Sequence, residues 1–203
     1  MERLTGGTFA ILLALSAVAC GTDGASEVSP EIRAAVQEVG GPAAEALLGT
    51  LVTRLSGAIQ QGGTASAIEF CSTSASELTA GVAREQGLDI KRTSLRYRNP
   101  ANAPDEAETE ALKYFESTLA ETGALPQAWV QTAGRDEYRY YTPLTVAPAC
   151  LQCHGMPDEI DPAVRAILDE QYPDDLATDY AVGDFRGLVR VSIPADRVEV
   201  PQG

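Results

Sequence analysis

The hydrophobic positions in the first half of the chain recur at helical spacing and predict three helices. Serine followed by proline at 29–30 is typical of a helix start, and the Gly-Gly-Pro run at 40–42 predicts that this helix ends there. A second apolar stripe runs from Ala43 to the Gly62-Gly63 pair. A third helix is predicted from Thr64 to about Gln86, with one inward-facing stripe at spacings of three and four: Ile68, Cys71, Ala75, Leu78 and Val82.

The second half of the chain alternates apolar and polar residues over short runs, a pattern typical of strands. The predicted strands are Leu88–Tyr97, Leu125–Thr132, Glu137–Val146 and Arg186–Pro194. Helices are predicted from Asp105 to about Glu121 and after Asp161-Pro162. Helices followed by a mostly antiparallel set of strands predict one α+β domain over residues 30–194, with a short tail at 195–203.

The N-terminal segment has the pattern of an export signal. Residues 1–19 combine an early arginine with an apolar run too short to span a bilayer, and they end in small residues that suit cleavage. Cys20 follows directly, as in bacterial lipoproteins, although Ala17 replaces the usual leucine. We therefore expect a periplasmic or cell-surface protein with a tether at 20–29, anchored to the membrane only through a lipid on Cys20. Simple secretion without lipidation is the alternative.

The charge balance narrows the choice of partners. The chain has 29 acidic and 15 basic residues, a formal net charge of -14, and no long basic run. Such a chain is unsuited to binding nucleic acid or an anionic membrane surface. We expect any charged redox or signalling partner to be a basic protein.

The run Cys150-Leu151-Gln152-Cys153-His154 has the pattern that attaches a c-type haem. Two thiols at this spacing can bond to the two vinyl groups of one porphyrin, and the adjacent histidine can then bind the iron. A thioredoxin-like dithiol is the alternative, but the adjacent histidine and the exported context favour haem. We predict one covalent haem c, held by Cys150 and Cys153, with His154 as an iron ligand.

The second iron ligand cannot be another histidine, because His154 is the only one in the chain. The same count excludes a Cys2His2 zinc site. Met156 lies two residues beyond His154, and about 7 Å of extended chain is too short to bring its sulfur to the opposite face of the porphyrin. A tyrosine, a lysine, water or Cys71 can fill the position, or it stays open.

Cys71 is the one cysteine that the signal segment and the haem motif leave unexplained. A small buried core residue is the usual role of a free cysteine. An unassigned thiol in an exported protein, on the inward face of a helix, favours the ligand interpretation instead. A thiolate would favour ferric iron and give a lower reduction potential than methionine gives.

Basic residues are concentrated just after the third predicted helix, at Lys91, Arg92, Arg96 and Arg98. Strand alternation would place the three arginines on one face of the predicted strand. A solvated strand face is one interpretation. The other is that these guanidinium groups pair with the haem propionates, since their planar fork suits a carboxylate.

Several motifs that lie far apart in the sequence occur together: Cys71, the run from Lys91 to Asp105, Glu108, Cys150 to Gly155, Tyr172 to Asp175, and Gly183 to Gly187. Together they resemble a bacterial family of c-type haem proteins of unknown function and PAS-like fold. Members of that family occur alone or as sensory domains of membrane receptors such as histidine kinases. The resemblance extends over roughly residues 30–194 and implies axial ligation by His154 and Cys71. Two positions depart from the expected pattern, Ala107 in place of an aromatic residue and Asp179 in place of glycine.

The motif and the resemblance predict a non-enzymatic protein that transfers electrons or senses redox state or a small ligand. No kinase or receptor domain accompanies the motif in this sequence, which favours electron transfer over sensing. A peroxidase-like or nitrogen-oxide-handling haem enzyme is the alternative, although it needs a distal acid or base and no second histidine is present. A structural lipoprotein with a Cys150–Cys153 disulfide is a third possibility that the resemblance disfavours.

Overall fold

A computed structural model describes residues 28–200. Its centre is a four-stranded antiparallel sheet in the order β1-β4-β3-β2, and the α+β prediction with N-terminal helices is confirmed. The predicted signal segment, Cys20, nearly all of the tether and the last three residues lie outside the described residues. The elements are α1 Pro30–Glu69, α2 Ala75–Gln86, β1 Asp89–Thr93, α3 Glu106–Thr122, β2 Trp129–Thr132, β3 Glu137–Thr145, α4 Leu151–His154, α5 Pro162–Gln171 and β4 Phe185–Pro194.

The two faces of the sheet are buried against different helices. On one face Val189, Val191 and Ile193 of β4 pack in a core with α1. On the other face Leu188 and Tyr141 pack against α3. This alternation of side chains along β4, an inner strand of the sheet, buries both of its faces and explains why burial is continuous from Gly187 to Ile193, even at Arg190 and Ser192.

The Gly-Gly-Pro run does not end the first helix, so that prediction is wrong. α1 continues through Pro42 to Glu69. Its buried residues form one stripe that crosses the run without a shift in face, and burial of this stripe against the sheet outweighs the local cost of proline. The stripe consists of Val36, Gly40, Ala43, Ala44 and Leu47.

Gly40 is required at the contact between α1 and β3. A Cβ atom at this position would lie 2.5 Å from Cγ of Tyr140, well inside van der Waals contact. We expect Gly40→Ala to lower the free energy of unfolding by about 1–3 kcal/mol through overpacking. The matched control is Gly49→Ala on the same helix, where nothing lies within 4 Å. There the better helix propensity of alanine should stabilise the protein by up to about 1 kcal/mol. Urea unfolding of the two variants measures both; equal effects would contradict this packing.

The predicted helix end at Gly62-Gly63 is a kink within α1 instead. Gly62 (φ -144°, ψ 16°) and Gly63 (φ 69°, ψ -164°) break helical geometry for two residues before the helix resumes. No helix among the described residues is long and apolar enough to cross a membrane. At the other end of the domain, Val28 packs into the α1 core, so folded structure begins before the expected boundary at residue 30.

Cys71 does not point into the core, contrary to the sequence prediction. The five residues Phe70–Ser74 form a π-helical turn between α1 and α2, and Cys71 is exposed on it. A π-turn winds more residues per turn than an α-helix, so it rotates Cys71 away from the apolar stripe that a regular helix would form. Ile68 before the turn and Ala75 after it stay buried.

Candidate functional site

The Cys150 to His154 segment forms one compact turn at the end of β3. A short 3-10 turn, Pro148–Cys150, leads directly into the single-turn helix α4. Gly155 ends it, and a Cβ at this position would lie 2.7 Å from the carbonyl oxygen of Leu151. The glycine after the histidine is therefore required by the tightness of the turn. Both cysteines and the histidine of the motif thus lie on one continuous helical segment.

His154 is held in one orientation and kept neutral. Its Nδ1 lies 2.6 Å from the carbonyl oxygen of Ala177, so Nδ1 carries the proton and donates this hydrogen bond. Burial, together with the positive charges of Arg98 and Arg186, lowers the pKa of His154 to about 3. A neutral imidazole with Nδ1 protonated has its Nε2 lone pair free, which is the state that binds a metal ion.

A second segment of chain runs alongside the motif and supports the histidine. The backbone N–H of Tyr180 donates to the carbonyl oxygen of His154 at 3.0 Å, and that of Asp179 donates to Gly155 at 3.0 Å. The Tyr180 ring packs edge-on against the imidazole, with centroids 6.3 Å apart. The guanidinium groups of Arg96 and Arg186 lie over the Tyr180 ring at 4.1 and 5.3 Å. The Tyr180 ring thus contacts the imidazole of His154 and two guanidinium groups.

Asp179, one of the two departures from the family pattern, has a backbone conformation that favours glycine. Its φ of 59° is the one positive value among the non-glycine residues that the structure describes. The resemblance leads us to expect glycine here, and glycine adopts this conformation without a Cβ penalty.

We expect Asp179→Gly to raise the free energy of unfolding by up to about 1 kcal/mol, because relief of the left-handed strain exceeds the added chain entropy. The reciprocal control is Gly183→Ala in the same loop. Gly183 has a φ of 92°, and a Cβ added there would have nothing within 4 Å, so only backbone strain can lower stability in that variant. Thermal unfolding of both variants measures the difference; a loss of stability in Asp179→Gly would contradict the strain argument.

The predicted strand carrying the arginines ends early. β1 stops at Thr93, so Arg96 and Arg98 lie in the following loop and do not share a strand face with Arg92. The strand ends because Ser94 leaves the ladder: its backbone N–H donates to the carbonyl oxygen of Asn102. The alternation argument for a common arginine face is therefore wrong, although all three arginines still lie near the motif.

Arg96 and Arg98 are already engaged by the protein. Arg98 forms an ion pair with Asp175 at 2.8 Å and donates to the carbonyl oxygen of Cys153 at 2.5 Å. Arg96 donates to the carbonyl oxygens of Leu176 and Thr178. Arg98 therefore ties the loop at 172–180 to the Cys150 to His154 segment, and Arg96 holds the same loop against its own segment. These contacts occupy guanidinium groups that were predicted to face propionates.

Arg92 differs from the other two because its Nε is buried without a partner. Its Nε is the one buried side-chain polar atom that has no hydrogen-bond partner among the described residues. Burial lowers the pKa of Arg92, and the neighbouring Cys71 and Tyr172 raise it. A buried guanidinium N–H without an acceptor is costly, so this position is suited to an anionic group supplied from outside the chain.

Arg92 and His154 line the same cavity, which has a volume of about 170 Å³. Arg186 is the third charged or titratable nitrogen-bearing side chain there, and it donates to Ser94 Oγ and the Arg96 carbonyl oxygen at 3.0 Å. No carboxylate belongs to the described lining. The complete lining is Arg92, Thr93, Ser94, Tyr97, Asn102, Leu144, His154 and Arg186.

Cys71 lies in the same neighbourhood. Its surface is exposed to solvent on one side, yet the protein around it desolvates the thiol and raises its pKa, while Arg92 and Arg98 oppose that rise. Burial also raises the pKa of Cys153; Arg98 lowers this pKa, and Cys71 raises it to a smaller extent. Arg92 is therefore the residue common to both proposed ligands, since it lines the cavity with His154 and acts electrostatically on Cys71.

Two contacts connect the helix that carries Cys71 to the motif. Thr64 Oγ1 donates to Gln152 Oε1 at 3.0 Å, just after the kink in α1. Ile68 forms an apolar cluster with residues of α5, and Cys153 and Tyr172 pack against that cluster. The kink and the π-turn therefore lie on the part of the helix that meets the motif.

Sequence reasoning did not identify Arg186 and Tyr180 as site residues. Arg186 lies in the Gly183 to Gly187 run that supports the family resemblance, which was a signal without an assigned role. Tyr180 follows the residue where glycine is expected. Their contacts with the histidine arise from the pairing of two segments distant in sequence, which no local pattern reveals.

The chain is similar to one protein family and to one solved structure. A family model described as Tll0287-like: Tll0287 matches residues 18–194. The solved structure of the cyanobacterial haem protein Tll0287 is similar to this chain, with 24% sequence identity and a TM-score of 0.55, and the match covers 82% of this chain and 97% of that one. At this identity the likeness shows the fold. The comparison with curated proteins found no match.

Proposed function

Because the chain belongs to the Tll0287-like family, we propose that it is a haem protein in which Cys150 and Cys153 bond to one haem c, while His154 and Cys71 bind the iron. The carrying observation is the cavity that combines a neutral, oriented His154 with the unpartnered buried Nε of Arg92. An iron ligand and a carboxylate acceptor site are the two features that a haem with propionates needs.

The residues present fit this group. His154 presents Nε2 because the carbonyl of Ala177 accepts the Nδ1 proton. Arg92 can donate its unused N–H to a propionate, and burial makes this charge-assisted hydrogen bond stronger than an exposed one. Arg96 and Arg98 keep positioning roles, because they are bonded to the 172–180 loop.

Cys71 is the proposed ligand on the second face. It lies on a π-turn, a local distortion that is frequent at functional sites, and it is exposed rather than packed in the core. Desolvation raises the pKa of this thiol overall, and Arg92 and Arg98 oppose that rise; bonding to the iron would supply the charge that stabilises the thiolate. An exposed thiol on a distorted turn can also leave the iron without disrupting the core, as sensing by ligand exchange requires.

The bound group would supply a one-electron iron couple. The chain holds no carboxylate or second histidine in the described cavity lining, so the geometry favours electron transfer or redox sensing over acid-base catalysis. We further propose that the protein is exported and anchored through Cys20, as the N-terminal sequence indicates.

A pyridine haemochrome assay tests the covalent haem. Protein matured in a host competent for c-haem attachment should give a c-type spectrum that survives acid-acetone extraction, whereas a variant with both Cys150→Ala and Cys153→Ala should lose the pigment on extraction. Loss of pigment from the wild type would overturn the proposal.

Carbon monoxide binding to the reduced protein then separates the two roles. In an electron carrier Cys71 stays bound to the ferrous iron, while in a sensor the ferrous iron binds the gas. Rapid peroxide turnover would favour the enzyme instead.

A further inference from the structure

The acidic charge of the chain is concentrated next to the haem motif. From Gly155 to Asp184 the sequence has nine acidic residues and one basic residue, Arg165, so these thirty residues contribute -8 of the total charge of -14. Asp175 is neutralised by Arg98, and Arg165 lies 3.8 Å from Asp169. The remaining acids include Asp158, Asp174 and Asp179, whose side chains are exposed.

Exposed apolar side chains occur in the same segment. Met156, Leu176 and Val182 are 46%, 47% and 55% exposed, and they are three of the six large hydrophobic side chains that are exposed among the described residues. Single exposed hydrophobic residues need no explanation. These three lie on chain segments that backbone hydrogen bonds hold side by side at Gly155–Asp179 and His154–Tyr180, so they can contribute to one contact surface. We call these three residues, with Asp158, Asp174 and Asp179, the 156–182 surface.

Backbone hydrogen bonds hold the parts of this surface together around the histidine. Asp179 donates to Gly155, next to Met156, and Tyr180 donates to His154. The backbone of Leu176 is also fixed, because its N–H donates to the carbonyl oxygen of Tyr97 and its carbonyl oxygen accepts from Arg96. The surface is therefore built on the segment that would carry the haem, and it needs no rearrangement to be presented.

We propose that the 156–182 surface docks a soluble redox protein with an apolar contact patch and a basic rim, an inference that rests on the proposed haem function. Electron-transfer encounters are small and transient, and complementary charge brings the partners together in the right orientation. The acidic rim excludes a second copy of this chain by like-charge repulsion and selects a basic protein. Docking here places the partner beside the Cys150 to His154 segment.

Rapid mixing with a basic mitochondrial cytochrome c as the probe tests the electrostatic part. The haem-loaded protein is reduced first; one electron then leaves it and reduces one ferric probe molecule. The rate at low ionic strength should fall by about tenfold or more in the Asp158→Lys/Asp174→Lys variant. The matched control, Glu38→Lys/Glu121→Lys, makes the same change in net charge at exposed sites on α1 and α3. It should change the rate by less than about threefold, since its charges lie away from the contact.

The apolar part has its own matched pair. Leu176→Ser/Val182→Ser should slow electron transfer several-fold at high salt, where charge steering is screened. Val52→Ser is the control, because Val52 is the most exposed large hydrophobic residue described and lies on α1. If the two charge variants transfer electrons at equal rates and neither apolar variant is slowed, the proposed docking at the 156–182 surface is overturned. Failure of the wild type to exchange electrons with small reagents such as ruthenium hexaammine would instead overturn the haem function on which it rests.

Discussion

Replacement of Glu108 by glutamine is expected to lower the free energy of unfolding by about 3 kcal/mol, because it leaves two cations without their buried counter-ion. The Glu108 side chain is fully buried. Its two carboxylate oxygens accept from Lys91 Nζ at 2.7 Å and from Arg190 Nε at 3.2 Å. Arg190 keeps a second partner, Asp89 at 2.6 Å, which limits the loss.

Glu108 also stabilises the start of α3. Its carboxylate accepts from the backbone N–H of Asp105, while the Asp105 side chain accepts from the Glu108 N–H, which completes a capping box. The control is Glu106→Gln, an exposed residue in the same helical turn, where only a favourable helix-dipole interaction of about 0.5 kcal/mol is lost. Chemical unfolding should separate the two variants clearly. Similar losses would mean that the ion pairs around Glu108 contribute little.

Replacement of Cys71 by alanine is expected to have the largest effect on the spectrum of the haem-loaded protein. Loss of a thiolate ligand removes the low-spin ferric thiolate signature and raises the midpoint potential, by an amount on the order of 100 mV. The core should be unaffected, because Cys71 is exposed on the π-turn. Low-temperature electron paramagnetic resonance and a potentiometric titration measure both effects.

Ser72→Ala is the control for the local structure of the turn. The Ser72 hydroxyl donates only to the carbonyl oxygen of Glu69, one turn earlier on the helix. This variant should keep the wild-type spectrum and midpoint potential within error. An unchanged thiolate spectrum in Cys71→Ala would remove Cys71 from the iron, and the sixth ligand would then have to come from another residue or from solvent.

Local signals predicted the parts of the fold whose stability is local. α3 begins at the predicted Asp105 cap and ends at Thr122, one residue beyond the predicted end, because a capping side chain and the left-handed Gly123 act within one turn of helix. The strands β3 and β4 were also found within a residue of their predicted starts or ends. Where tertiary packing decides, prediction failed: Pro42 stays inside α1 since the buried stripe around Gly40 extends across it.

The same distinction applies to the site. The Cys150 to His154 motif and the proposed ligand role of His154 were predicted from the sequence, but the carbonyl that orients the imidazole, that of Ala177, comes from a segment more than twenty residues away. The π-turn at Cys71 could not be predicted, because the apolar spacing before and after it is that of a regular helix. Arg92 was one of three candidate arginines, and only its buried Nε without a partner separates it from Arg96 and Arg98.

Mass spectrometry of the mature, haem-loaded protein tests the central proposal most directly. Trypsin should release residues 140–165 as one peptide, because no lysine or arginine lies between Arg139 and Arg165. We predict that this peptide carries the added mass of one haem, bonded to both Cys150 and Cys153, and that no other peptide carries it. An unmodified peptide, or one with a disulfide between these two cysteines, would contradict the account.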